Sequence, residues 1–189
     1  NFVKAYQMLR SMDSSRPVQY ERAEHADNTD IFCPMYYTYA QSEKYLAGNP
    51  SKPLIQCEYA HAMGNSMGGL KEYWDMIRKS PSYQGGFIWD FVDQAQRWPA
   101  DAQKTGSDHI FIFGGEFNDI DPSDNSFCCN GIIAADRSLH PHAYEVAYQY
   151  RNIHTSGAGA WNKVSVYNEN FFIDLSRYRL EWDVEVDGH

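Results

Sequence analysis

The chain has 189 residues, a formal net charge of −9 and 43% hydrophobic residues, enough for one large domain or one and a fraction. That charge, with no basic stripe able to neutralise phosphates, argues against a nucleic acid or an anionic membrane surface as partner. No apolar run approaches the ~20 residues of a membrane span.

The sequence carries neither a signal peptide nor an initiator Met, and it opens at Asn1 inside a helical pattern. A piece of a longer polypeptide is therefore expected. Phe2, Tyr6, Leu9 and Met12 form a stripe opposite Lys4, Gln7 and Arg10, which predicts a helix over 2–12 closed by the turn before Pro17. Val18–Tyr20 reads as a short strand and Ile31–Cys33 as a second, ending in Pro34-Met35-Tyr36. A helix is expected over 37–47. Leu54–Cys57 is a third strand, apolar and buried, that delivers the carboxylate Glu58 where the apolar run stops. Ser66–Lys79 is a strongly amphipathic helix with Met67, Leu70, Trp74 and Ile77 on one face. Gly85–Val92 is a fourth strand, uniformly apolar as a strand covered on both faces should be.

Four apolar strands separated by helices or loops read as consecutive β/α units of a parallel sheet. Tyr36, Glu58 and Trp89 then fall together at the carboxyl ends of their strands, where α/β enzymes keep their ligands. From Gln94 to Leu139 the pattern is irregular, and a loop of that length is functional or disordered; Phe111, Phe113, Phe117 and Phe127 argue for order. Pro141 opens a further helix with Ala143, Ala147 and Tyr150 on one side. After Ser156–Gly159 the period changes to two, with Val164/Val166, Phe171/Ile173/Leu175 and Leu180/Trp182/Val184/Val186 alternating like antiparallel strands. The expected division is a catalytic-type α/β segment over 1–155 and the start of an all-β domain over 156–189.

Other constellations have blander readings. The cysteines at 33, 57, 128 and 129 match neither a disulfide framework nor a zinc spacing, so they read as reduced packing residues. They favour a reducing compartment, cytoplasmic over periplasmic. Cys57 with His61 invites a thiol-hydrolase reading, opposed by the burial of Cys57 in a strand. His140 and His142 lack a third metal ligand nearby. Asp90 and Asp93 could supply a second carboxylate or simply brace the fourth strand. Glu116, Asp119, Asp121 and Asp124 lack the spacing of a calcium loop.

The stretches CEYAHAMGNS (57–66), DIFCPMY (30–36) and GGFIWDFVDQ (85–94) closely resemble the β-galactosidases of glycoside hydrolase family 2. SRPVQYE (15–21), NSFCCNGI (125–132), ADR (135–137) and HPHAYE (140–145) continue the match in order along the chain. The resemblance implies the C-terminal half of a (β/α)8 TIM barrel followed by the first strands of an immunoglobulin-like β-sandwich. It implies Glu58 as the nucleophile and Tyr36 as a hydrogen-bond partner of that carboxylate. It places His61 at the sugar subsite and Trp89 under the galactosyl ring. The Phe127 carbonyl and Asn130 would be two ligands of a sodium ion beside the sugar, and the Trp89–Asp90 peptide would be cis. The acid/base glutamate, the magnesium ligands and the aspartate completing the sodium site lie upstream in the family and are not in this chain. The implied substrate is a β-galactoside and the implied parent a homo-oligomer, with the other barrel half or a second copy covering the open strand edges. A non-catalytic carbohydrate-binding or assembly piece remains the alternative.

Overall fold

The stripe of Phe2, Tyr6, Leu9 and Met12 forms helix α1 (Phe2–Met12) in the computed structural model, which describes residues 1–160 and 162–187. None of its side chains is buried; it is held by the Tyr6 hydroxyl donating to Asp30 (2.6 Å) and by Phe2 stacked on Tyr20 at 4.2 Å. Val18–Tyr20 is extended but is not a strand. Its backbone bonds go to the Thr29–Asp30 loop instead of a neighbouring strand: Val18 donates to the Asp30 carboxylate and Asp30 donates back to Val18, each at 2.8 Å.

The chain divides into two units, Asn1–Gln149 and Tyr150–His189. In the first, β1 (Leu54–Tyr59) and β2 (Tyr83–Ile88) pair in parallel. Parallel bridges Phe32–Leu54 and Met35–Glu58 add the 31–36 segment on one side of β1. A parallel bridge from Val92 to Ile133 carries the arrangement past β2. Three of the four expected segments are present in the expected parallel order, 31–36, β1 and β2, although only β1 and β2 form a continuous ladder.

The crossovers are α2 (Tyr39–Ala47) between the 31–36 segment and β1, and α3 (Leu70–Lys79) between β1 and β2. Helix α2 starts at a capping box: the Gln41 amide N–H donates to the Thr38 hydroxyl, and the Gln41 side chain accepts from the Thr38 N–H. Thr38→Ala is expected to lower the unfolding free energy by about 1 kcal/mol, read as a lower urea midpoint at unchanged slope. Helix α3 begins four residues later than the sequence pattern predicts, because Gly69 adopts φ +67° and interrupts the helical path. Between sheet and helices, Phe32, Leu54 and Tyr83 pack with Tyr73, Met76 and Ile77. Tyr59, Met67 and Leu70 pack with Trp74 and Val146.

The 94–139 segment is ordered. It contains an antiparallel hairpin, β3 (Gln96–Pro99) with β4 (His109–Ile112), joined through the short helix α4 (Ala102–Thr105). Helix α5 (Pro141–Gln149) buries Ala143, Val146 and Gln149, not Ala147. The i, i+3 face is the one turned to α3, where Arg78 donates to the Gln149 carbonyl at 2.7 Å.

In the second unit β5 (Ile153–Gly157) and β6 (Val164–Asn168) form an antiparallel pair. The alternation at 171–175 and 180–186 does not become strands among the described residues. Phe171, Phe172 and Trp182 stand exposed there, with no apolar face against which a pleated segment could pack. Of the 156–189 segment, residues 161, 188 and 189 lie outside the described ones.

Candidate active site

A regular strand alternates its side chains, so Gln56 and Glu58 would share a face of β1. They do not. The buried residues of β1 are Leu54, Gln56 and Tyr59, and its register against β2 steps from Gln56–Gly86 to Tyr59–Ile88, three residues against two. One extra residue is accommodated, as in a β-bulge. Gly86 marks the helix-facing side of this irregularity: a Cβ there would lie 3.2 Å from the Gln56 Cβ and 3.0 Å from the Tyr59 ring. Gln56 and Tyr59 therefore share the helix layer, and Glu58 is turned out of it, half-buried at the strand's carboxyl end.

Tyr36 meets Glu58 twice. Its backbone N–H donates to the Glu58 carbonyl at 2.8 Å, and its phenol lies close enough to the Glu58 carboxylate to feel its charge. Burial pushes the phenol pKa well above its ordinary value, and the Glu58 carboxylate pushes it further the same way. Tyr36 therefore stays a donor, which suits an ionised carboxylate beside it. Its backbone is in the left-handed region at φ +52°.

His61 lies next to this pair, its ring 6.0 Å from Tyr36 and 5.2 Å from Phe127, centroid to centroid. Among the described residues its Nε2 is buried without a hydrogen-bond partner. Trp89 follows β2 directly, with its N–H on the Tyr59 carbonyl (3.1 Å) and its own carbonyl taking the Ala62 N–H (2.7 Å). The Trp89–Asp90 peptide is cis.

The irregular segment closes this end of the sheet. Asp90 N–H donates to the Asn130 carbonyl (2.7 Å), Ile132 to Asp90 (2.9 Å), and Asp93 to Ile133 (3.0 Å). Asn130 is buried; its amide NH2 donates to the Phe127 carbonyl at 3.0 Å, and its Oδ1 has no partner among the described residues. Tyr36, Glu58, His61, Phe127 and Asn130 thus come from segments spread over 94 positions of chain, bridged by short contacts.

The remaining carboxylates and histidines are structural in their contacts. Asp90 accepts from the Phe91 N–H and the Gln94 side chain. Asp93 accepts from the Gly131 N–H (2.7 Å) and pairs with His140 (2.7 Å), while His142 donates to the Gly131 carbonyl (2.9 Å). Gly131 is gripped at both ends of its backbone, a role the sequence does not reveal. No three His, Cys, Asp or Glu side chains converge as a metal set among the described residues. Glu116 and Asp121 are exposed and occupied with the Phe113 N–H and the Asn118 amide. A cavity of about 690 Å3 lined by His25, Tyr45 and Lys52 includes none of the candidate residues.

The thiols are not set up as nucleophiles. Burial pushes Cys33 up to about 12 and Cys129 up to about 11, and raises Cys57 as well. At pH 8 iodoacetamide is expected to alkylate Cys33 and Cys57 about tenfold or more slowly in the native chain than in urea, measured by mass spectrometry of the peptides. Fast native labelling of Cys57 would revive a thiol mechanism.

Comparison with known proteins bears on this site. The family model for the TIM barrel domain of family 2 glycosyl hydrolases matches residues 1–155. The chain belongs to glycoside hydrolase family 2. Among curated relatives it is 43% identical to the β-galactosidase of Halalkalibacterium halodurans over 95% of this chain. It is 41% identical to that of Priestia megaterium over the whole of it. The chain spans 18% of the length of each of these relatives. Among solved structures, the β-glucuronidase of Bacteroides uniformis superposes with a TM-score of 0.50 at 15% identity, over 82% of this chain and 20% of that one. At that identity the likeness is one of fold, and it agrees with a partial family 2 barrel.

Proposed function

We propose that this chain supplies the nucleophile half of a retaining glycosidase acting on terminal β-D-galactosides. The observation that carries the reading is the Tyr36–Glu58 pair at the carboxyl end of parallel strands, with the unpartnered Nε2 of His61 beside it. Glu58 attacks the anomeric carbon as the glycosidic C–O bond breaks and a carboxylic acid protonates the departing oxygen. Water then displaces Glu58 from the sugar, giving up its proton to the same carboxylate. Retaining enzymes hold the two carboxyl groups about 5–5.5 Å apart. Asp90 is an alternative within the chain, but both its oxygens are engaged. The acid/base glutamate is thus assigned to a segment that precedes this one in the family.

The role of Tyr36 is to orient the Glu58 carboxylate for attack by offering it a hydroxyl donor. His61 offers Nε2 to a sugar hydroxyl, and the Trp89 indole offers an apolar face to the pyranose. A hard cation such as sodium fits the oxygen donors here, since Asn130 Oδ1 is buried without a partner and the Phe127 carbonyl is within the same turn. Held by Phe127 and Asn130 together with ligands from elsewhere, it would supply positive charge to orient a sugar hydroxyl. The galactoside preference rests on the β-galactosidase relatives and on the CEYAHAMGNS stretch (57–66).

By this reading the chain by itself gives no turnover of a nitrophenyl β-galactoside, and turnover appears when a polypeptide carrying the preceding barrel half is supplied. Hydrolysis by the isolated chain that disappears in Glu58→Gln would place the acid within these 189 residues and overturn that division. A binding-only role is the second reading, favoured by the unpartnered His61 nitrogen. It predicts a saturable change in Trp fluorescence on titrating the isolated chain with galactose.

A further inference from the structure

Gln56 is 0% exposed, although a primary amide is costly to bury unless each end finds a partner. Both ends do. The side-chain oxygen accepts the backbone N–H of Tyr37 at 2.6 Å, and the NH2 donates to the Tyr83 hydroxyl at 2.7 Å. Tyr83 is itself 1% exposed in β2. The Tyr37 carbonyl is held as well, by the Tyr73 hydroxyl at 2.7 Å. The residue immediately after Tyr36 is therefore fixed at both its amide and its carbonyl.

Tyr36 needs such fixing. A bulky non-glycine residue in the left-handed region persists only where its surroundings enforce the backbone, and Tyr36 has φ +52°. Its side chain is partly exposed, so packing alone does not hold it. Two bonds from β1 set its direction: the Glu58 carbonyl receives the Tyr36 N–H, and the Gln56 amide receives the N–H of the next residue. The bulge after Gln56 is what lets one strand do both, with Gln56 in the helix layer and Glu58 outside it.

We propose that Gln56 is a positioning residue that aims the Tyr36 hydroxyl at the Glu58 carboxylate by pinning the Tyr37 peptide. The inference rests on the reading of Tyr36 and Glu58 as the working pair.

The test uses the full chain labelled with 13Cζ-tyrosine, the Tyr36 resonance being assigned with Tyr36→Phe. The quantity measured is the displacement of that resonance on Glu58→Gln, in chains with and without a second change at position 56. A clear displacement is expected with Gln56 present. Gln56→Leu, which keeps bulk and removes both hydrogen bonds, is expected to cut it to half or less while the Tyr45 resonance stays in place. Gln56→Glu, which keeps an acceptor for the Tyr37 N–H, is expected to retain most of it. If Gln56→Leu does not fold, Tyr83→Phe, which frees only the NH2 end of the amide, is expected to reduce the displacement. A displacement that survives Gln56→Leu, or Tyr83→Phe where that stands in, overturns the positioning role alone. A Tyr36 resonance indifferent to Glu58→Gln with Gln56 in place overturns the pairing itself, and the inference with it.

Discussion

With the preceding half of the barrel supplied, Glu58→Gln is expected to lower turnover of a nitrophenyl β-galactoside by about 10^4- to 10^6-fold, the range seen when one member of a concerted catalytic unit is removed. The size follows from what the carboxylate does. It forms the covalent bond that splits one difficult displacement into two easier ones, and the amide of glutamine can neither attack as well nor leave again. The environment of Glu58 is otherwise kept by this change, because its backbone carbonyl still receives the Tyr36 N–H and Tyr36 can donate to the amide oxygen. The loss should therefore appear in kcat with the fold intact. A slow 2-fluoro-galactoside should label the wild-type assembly at Glu58 and leave Glu58→Gln unlabelled, read from the mass of the peptide. Labelling on another carboxylate, or a loss below tenfold, would remove Glu58 from the role of nucleophile.

Gly131→Ala is expected to cost about 3 kcal/mol, at the upper end of what forcing an extra methyl into a packed site entails. For a unit of this size that corresponds to a melting temperature lower by roughly 6–12 °C. A Cβ at Gly131 would meet the Asp93 nitrogen at 2.2 Å, the Val92 carbonyl carbon at 2.4 Å and the Ile133 oxygen at 2.5 Å. All three are backbone atoms and cannot swing aside. The segment that yields would be the one carrying Phe127 and Asn130, since Gly131 ties it both to the stretch after β2, through its N–H on Asp93, and to α5, through its carbonyl on His142. Scanning calorimetry of the chain measures the shift directly. A melting temperature unchanged within 2 °C, allowing roughly 1 kcal/mol, would mean that this close approach is relieved at little cost.

The order of parallel segments was legible because each carries a run of apolar residues bounded by polar crossovers, and burial between two layers needs little else. The meeting of Tyr36 with Glu58 was legible for a related reason: each follows directly on the apolar run of its segment. The strand proposed at Val18–Tyr20 failed because three residues of β propensity do not specify a partner, and Asp30 and Thr29 offered side-chain oxygens instead. The second unit failed past Asn168 for want of a face to pack against, since alternation specifies a strand only where one side is covered. The hairpin of β3 and β4 was missed because Gln96–Pro99 is exposed throughout and leaves no periodic signal. Gln56 was passed over for a different reason. A lone glutamine in an apolar run gives no sign that its amide reaches residues 19 positions back and 27 ahead.

The irregular register of β1 also limits how this chemistry could be moved elsewhere. Copying Glu58 onto the same numbered place of an unbroken strand would aim the acid into the oily layer beneath the sheet, where it has nothing to attack. Restoring strict alternation along β1 with every residue kept would do the same to this protein, because Glu58 would then fall on the face of Gln56. What has to be inherited or transplanted is the miscount, along with the small residue at Gly86 that makes room for it.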